Sequence, residues 1–171
     1  MIIVAGLIAA VMLGFAAYRI TLARVAVRMM DEAEKRLLAI RDSGPNSFRH
    51  GRAPTHESQR IVMPSPDLVY SSCVYDLSAG DLVIAGDLPP AGHYWSLSLY
   101  AHNTDNYFVL NDRELPARKF SVTVSRNARD GAVHSPTRTG IALIRMIQRQ
   151  QDDLPIIQAA QQSVTCGVVK A

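Results

Sequence analysis

The chain has 171 residues, 48% of them hydrophobic, with 18 Lys and Arg against 15 Asp and Glu for a formal charge of +3. That length leaves enough chain for one domain with a real hydrophobic core once an apolar N-terminal segment is set aside. The basic excess gathers at Arg19, Arg24, Arg28, Lys35, Arg36 and Arg41, beside that segment and not in an aromatic-interleaved stripe, which argues against a nucleic-acid partner.

Residues 1–18 contain no charged side chain. At a helical rise of about 1.5 Å per residue, residues 1–20 span roughly the ~30 Å hydrocarbon core, with Arg19 snorkelling at one end. A cleaved signal peptide would carry a basic region before its apolar stretch. Here Met1-Ile2-Ile3-Val4 is apolar from the start, and Gly14-Phe15-Ala16 makes a poor cleavage site. A buried helix of a soluble fold would show a polar face. The reading is therefore a transmembrane anchor over residues 1–20, with membrane lipid as its partner. Positive charge following the segment favours a cytoplasmic domain by the positive-inside rule. Cys73 and Cys166 make an even count that closes one disulfide in an oxidising compartment or supplies two small buried thiols, and their spacing matches no zinc or redox motif.

Over residues 21–43 an amphipathic stalk helix is predicted, since Leu22, Ala26, Met29, Met30, Ala33, Leu37 and Ile40 recur at helical spacing. Asp31 with Lys35 and Glu32 with Arg36 form i,i+4 pairs in the favourable order. Gly44-Pro45 ends the helix, and residues 44–64 read as a linker loop containing Gly51 and Pro54. His50 and His56 in that loop have only Glu57 as an acidic neighbour at ligand spacing, so they read as solvated histidines more than as metal ligands.

Beyond Pro64-Ser65-Pro66 the period becomes alternating. Residues 94–100 give the clearest strand, with Trp95, Leu97 and Leu99 on one face and Ser96 and Ser98 on the other, as expected for a half-buried strand. Shorter strands are predicted over residues 82–85, 107–110 and 120–124, separated by turn clusters such as Pro89-Pro90-Ala91-Gly92. Residues 141–147 fit a further strand, and Asp152, Asp153 and Pro155 open a short helix over residues 152–163, with Ile156, Ile157, Ala160 and Val164 on one face. Strands about a dozen residues apart predict a mainly β fold for residues 65–171, an antiparallel sandwich or jelly roll.

The block Ser65-Pro66-Asp67-Leu68-Val69-Tyr70-Ser71-Ser72-Cys73-Val74-Tyr75-Asp76-Leu77-Ser78-Ala79-Gly80 is followed by Gly92-His93-Tyr94-Trp95-Ser96-Leu97-Ser98-Leu99-Tyr100 and by residues 103–106. In that order the blocks resemble the bacterial domain of unknown function 1254 family, as do Ser135-Pro136-Thr137-Arg138 and the closing strand and helix. The resemblance implies a jelly-roll-like domain, found in some proteins fused to or encoded beside a second domain, numbered 1214, and it implies no established reaction. It also implies a short membrane-anchored envelope protein, a slight lean towards a periplasmic domain, and a protein partner carrying the 1214 domain.

The best polar constellation is His93, His102, Asp105, Asp112 and Arg113, around the aromatic strand and its exit loop, with Asp76 and Tyr70 as possible additions. Gathered on one sheet rim, they would suit a metal-assisted hydrolase or a carbohydrate-active cleft. The competing reading is local: Asn103, Asp105, Asn106, Asn111 and Asp112 are residues that turns select, and Asp76 precedes a turn at Ser78-Ala79-Gly80. Serine-elbow, zinc, Walker and dinucleotide signatures are missing, and no cofactor is expected. Two functions remain, a membrane-tethered binding or assembly module and an envelope enzyme using that rim.

Overall fold

No proline precedes Pro45, so nothing in the sequence interrupts the first helix, and α1 runs unbroken from Ile2 to Leu38. The anchor and stalk predicted as successive segments are one 37-residue rod. The computed structural model describes residues 2–40, 44–52, 65, 67–90, 92–115 and 117–169. Within α1 an 18-residue window reaches a mean hydropathy of 2.0 with none of it buried, so the helix is long and apolar enough to cross a membrane.

After α1 come β1 (Phe48–His50), β2 (Leu68–Asp76), β3 (Asp81–Asp87), β4 (Trp95–Ala101), β5 (Asn106–Asn111), β6 (Lys119–Ser125), β7 (Ala132–His134), β8 (Thr139–Ile147), α2 (Leu154–Ser163) and β9 (Thr165–Val169). They form a mainly β sandwich. One sheet has the order β1-β2-β8-β4-β5 and the other β7-β6-β3-β9; every pair is antiparallel except β6 with β7. The predicted strands and the closing helix are present in these positions. Strands β2, β7 and β9 were not predicted, and β1 lies inside the stretch read as a linker loop, paired with β2 through Phe48 to Cys73 and His50 to Ser71. Most of that stretch, His56 included, lies outside the described residues.

Inward-facing side chains of both sheets make one core. Leu97, Leu99, Ile144, Leu82, Ile84 and Val124 are at most 1% exposed, and Trp95 stacks on Phe120 with centroids 5.8 Å apart. Ile157, Ala160 and Val164 of the α2 region join this core, whereas Ile156, expected on the same face, points outward. Cys73 on β2 and Cys166 on β9 are joined by a disulfide, with Cα atoms 6.6 Å apart, which ties one sheet to the other. At Gly140 on β8 a Cβ would overlap the Tyr100 carbonyl oxygen and the Tyr75 hydroxyl, so only glycine allows this approach. Tyr75 there bonds Tyr107 at 3.0 Å and Ser135 at 3.2 Å.

A second, smaller cluster lies on the outer face of the five-stranded sheet. Met30 packs with Val74 and Ile141, backed by Ala33, Leu37, Leu38 and Tyr100, and so docks the last turns of α1 on the domain. Asn46, at φ 61°, then pairs with Asp76 like a strand residue. Its side-chain oxygen accepts from the Asp76 N–H at 2.8 Å and its amide donates to the Asp76 carbonyl at 3.0 Å.

The expectation of a half-buried β4 is corrected: Ser96 is 1% and Ser98 0% exposed, so both faces are buried. The reason is position. β4 is flanked by β8 and β5, and the Arg145 side chain crosses from β8 to donate to Ser98 Oγ at 3.0 Å, covering these short side chains. Ser96 Oγ is buried without a hydrogen-bond partner among the described residues. Leu97→Asp should therefore cost ~3 kcal/mol or more through an unpaired buried carboxylate, with native Trp95 fluorescence lost. Ser96→Ala should be neutral or stabilising by up to about 1 kcal/mol, since it removes an unsatisfied hydroxyl. Urea titration of both variants checks the pair, and a tolerated Leu97→Asp would contradict the core assignment.

Candidate functional site

Strand direction decides what the predicted constellation can do. His93 and Asp112 lie at the Trp95 end of β4, where the Asp112 N–H donates to the Trp95 carbonyl at 3.3 Å and Arg113 follows in the same turn. His102 and Asp105 lie beyond Ala101, at the other end. Seven residues of β4 at about 3.3 Å each separate the two groups by roughly 20 Å. The structure does not gather the five residues on one rim.

The side chains of His93, His102 and Asp105 have local tasks instead. His93 Nε2 contacts Asp153 Oδ1 at 3.3 Å, at the start of α2. The N–H groups of Gln150 and Arg149 and the His93 ring hold the Asp153 carboxyl below the usual carboxylate range. His102 bridges the domain to α1, with Nδ1 3.1 Å from Glu34 and Nε2 3.2 Å from Asp31, while its backbone N–H donates to Thr137 Oγ1. Asp105 accepts from the Asn103 amide at 2.6 Å in a turn where Thr104 has φ 74°. Arg113 is exposed, its N–H capped by Asn111 Oδ1. His93 Nδ1 and Asp112 Oδ1 are buried without hydrogen-bond partners among the described residues.

Asp76 closes β2. Its carboxylate accepts from the Ser78 N–H at 2.9 Å and hydroxyl at 2.6 Å, and from Arg138 Nη1 at 3.1 Å. Partial burial works against ionisation, yet the Ser78 hydroxyl and N–H and the Arg138 guanidinium together hold the Asp76 carboxyl below its ordinary range. Tyr70, the other addition, takes the Ser65 N–H on its hydroxyl at 3.1 Å. Among the described residues no group of three or more His, Cys, Asp or Glu is arranged to hold a metal ion.

A cavity lies between β1, the start of β2 and α2, with a volume of about 290 Å³. Val69, Leu154 and Ile157 supply its apolar wall, and His50, Arg52 and Gln158 its polar one. Behind them Gln161, 4% exposed, donates to Ser71 Oγ at 3.0 Å and to the Gly51 and Tyr70 carbonyls at 3.3 Å. Ser71 Oγ therefore accepts from Gln161 and lies 3.0 Å from His50 Nδ1. This serine is 1% exposed, which makes it a hydroxyl holding α2 to β2, not one presented to a substrate. Pattern reading set His50 aside as a solvated loop histidine and passed over Gln161; the signal available was a glutamine on the apolar face of the closing helix, four residues after Ile157.

A β-sandwich carried on one long apolar helix, with a small polar cleft and with His93 and His102 committed to structural contacts, defines the class of protein. The chain belongs to the family described as Protein of unknown function (DUF1254), which matches residues 45–167. Solved structures share the fold. The VPA0106 protein of Vibrio parahaemolyticus superposes with a TM-score of 0.65 at 8% identity, over 86% of this chain and 36% of that one. A putative uncharacterized protein from Burkholderia cenocepacia gives 0.52 at 16% identity, over 91% of this chain and 49% of that one. The chain thus spans between a third and a half of those proteins. No curated protein matches it.

Asp76 gives a test of the site's electrostatics. A carboxyl depressed on folding contributes stability above the unfolded pKa, and that contribution disappears as the pH falls through the folded value. Asp76→Asn should lower the melting temperature at pH 7, and the gap from the unsubstituted protein should close below about pH 4. A gap unchanged down to pH 2 would contradict the assigned hydrogen bonds.

Proposed function

We propose that this protein is a membrane-anchored module of the bacterial envelope that binds or assembles with a separate protein partner. One observation carries the reading: the fold seen here makes up 36% and 49% of two larger chains, in which the sandwich is part of a longer protein. In those chains the sandwich has further protein to act with, and the partner expected for this domain carries the companion 1214 domain. The alternative, an envelope enzyme using His93, His102, Asp105, Asp112 and Arg113, would need groups from both ends of β4 to act together. Residues 1–20 are the anchor in this reading, residues 21–43 the stalk, and the bacterial inner membrane the location.

Removing residues 1–20 should release the domain into the soluble fraction, while the full chain resists carbonate extraction, because no other stretch of the sequence is as long and apolar. Affinity capture from detergent extract of the native membrane should bring down a stoichiometric second protein carrying the 1214 domain. Recovery of the full chain in a carbonate wash would overturn the anchor, and capture of the bait alone would overturn the partner.

The domain faces the periplasm in this account. Support comes from the bond between Cys73 and Cys166, which persists in an oxidising compartment, whereas the arginines following the apolar segment pull the other way. An export-dependent reporter fused after Ala171 should be active, and both cysteines should alkylate only after reduction. An active cytoplasmic reporter with freely alkylated cysteines would reverse the side.

A further inference from the structure

Two adjacent methionines divide the surface of α1. Met30 is 5% exposed against Val74 and Ile141, while Met29, turned by about 100° around the helix, is 65% exposed. Val25 and Leu22 share the outward face of Met29, and Tyr18 and Phe15 continue it towards the N-terminus, all between 46% and 60% exposed. Positions 15, 18, 22, 25 and 29 are spaced alternately by three and four residues, the a and d positions of a heptad repeat. In the all-apolar part of the helix that spacing carries no information. Past Arg19 it does: over residues 21–29, beside the charged Arg24 and Arg28, the large exposed apolar side chains are Leu22, Val25 and Met29, and Val27 is half-buried.

The domain does not cover this seam, because it docks on Met30, Ala33 and Leu37. We propose that the seam pairs with the same seam of a second copy of this chain, as a parallel, in-register coiled coil that starts in the membrane and continues to Met29. The proposal rests on the anchor reading. Two copies inserted the same way present their helices parallel and level, so Phe15, Tyr18, Leu22, Val25 and Met29 each meet themselves. The flanking positions accept self-pairing. Thr21 would face Ala26 of the second copy, a small side chain that permits close approach, and Arg28 would lie beside Ala33 at the edge of the docked domain, so no like charges oppose one another. The next seam positions are Glu32 and Arg36, which pair within their own helix at 2.8 Å, ending the apolar stripe where α1 enters its domain.

The test uses the full chain in its native membrane, with a photoreactive phenylalanine analogue at position 22, 25 or 29 on the seam, or at position 23 or 24 off it. Two differently tagged copies are expressed together. The expected result is an adduct of twice the chain mass carrying both tags from positions 22, 25 and 29, at least ten-fold weaker from positions 23 and 24. Val25→Lys should abolish the doubly tagged adduct from position 22 without changing Trp95 fluorescence. An adduct to a different protein alone, monomer at every position, or equal adducts from all five positions would overturn the proposal. Carbonate extraction of the same membranes tests the anchor by itself, so failure of the pairing and failure of the anchor are told apart.

Discussion

The contact on which the arrangement depends is the docking of the last two turns of α1 on the outer face of the five-stranded sheet. Met30 is driven into Val74 and Ile141 by apolar burial, and His102 reaches from the end of β4 to Asp31 and Glu34 on the same helix. Apolar contact and polar tie act on neighbouring turns, so the helix is fixed both in depth and in rotation. Because α1 has no break between Ile2 and Leu38, whatever holds its N-terminal half also holds the sandwich. Met29 and Met30 show what that rotation does, burying one and turning the other away from the domain.

The sandwich can accept a helix on its outer face because its interior is complete without one. Leu97, Ile144, Leu82 and Val124 close the space between the sheets, and the Cys73–Cys166 bond joins them across it. The outer face is then free for uses of different polarity. At one end it is apolar and takes α1; further along, Arg145 lies over Ser96 and Ser98. The cleft beside β1 depends on the same frame, since Gln161 reaches the Gly51 and Tyr70 carbonyls only while α2 is packed through Ile157.

Alternation made β4 and β6 legible, short apolar runs bounded by turn residues made β3, β5 and β8 legible, and the charged or apolar character of whole segments made the long helix legible. The other strands were hidden for separate reasons. β2 buries Ser71, Ser72, Cys73, Val74 and Tyr75 in succession, so neither face gives an alternating signal. β1 and β7 have three residues each, too few for a period, and β9 follows a helix with only Val164 between. The histidines and aspartates were close in sequence but divided by the length of one strand, and their partners came from elements far along the chain: Asp31 and Glu34 for His102, Asp153 for His93. Long-range pairing of that kind has no local signature. The family resemblance, by contrast, was carried by an ordered string of residues and extended over the matched region.

Hydrogen exchange of the full chain in detergent micelles tests the rigid junction most directly, read at the amides of residues 30–38. The account predicts protection there close to that of β4 and β8, reduced in step by Met30→Ala and by His102→Ala. Exchange as fast as in an exposed turn, with β4 and β8 still protected, would contradict it, since the helix would then swing free of the domain.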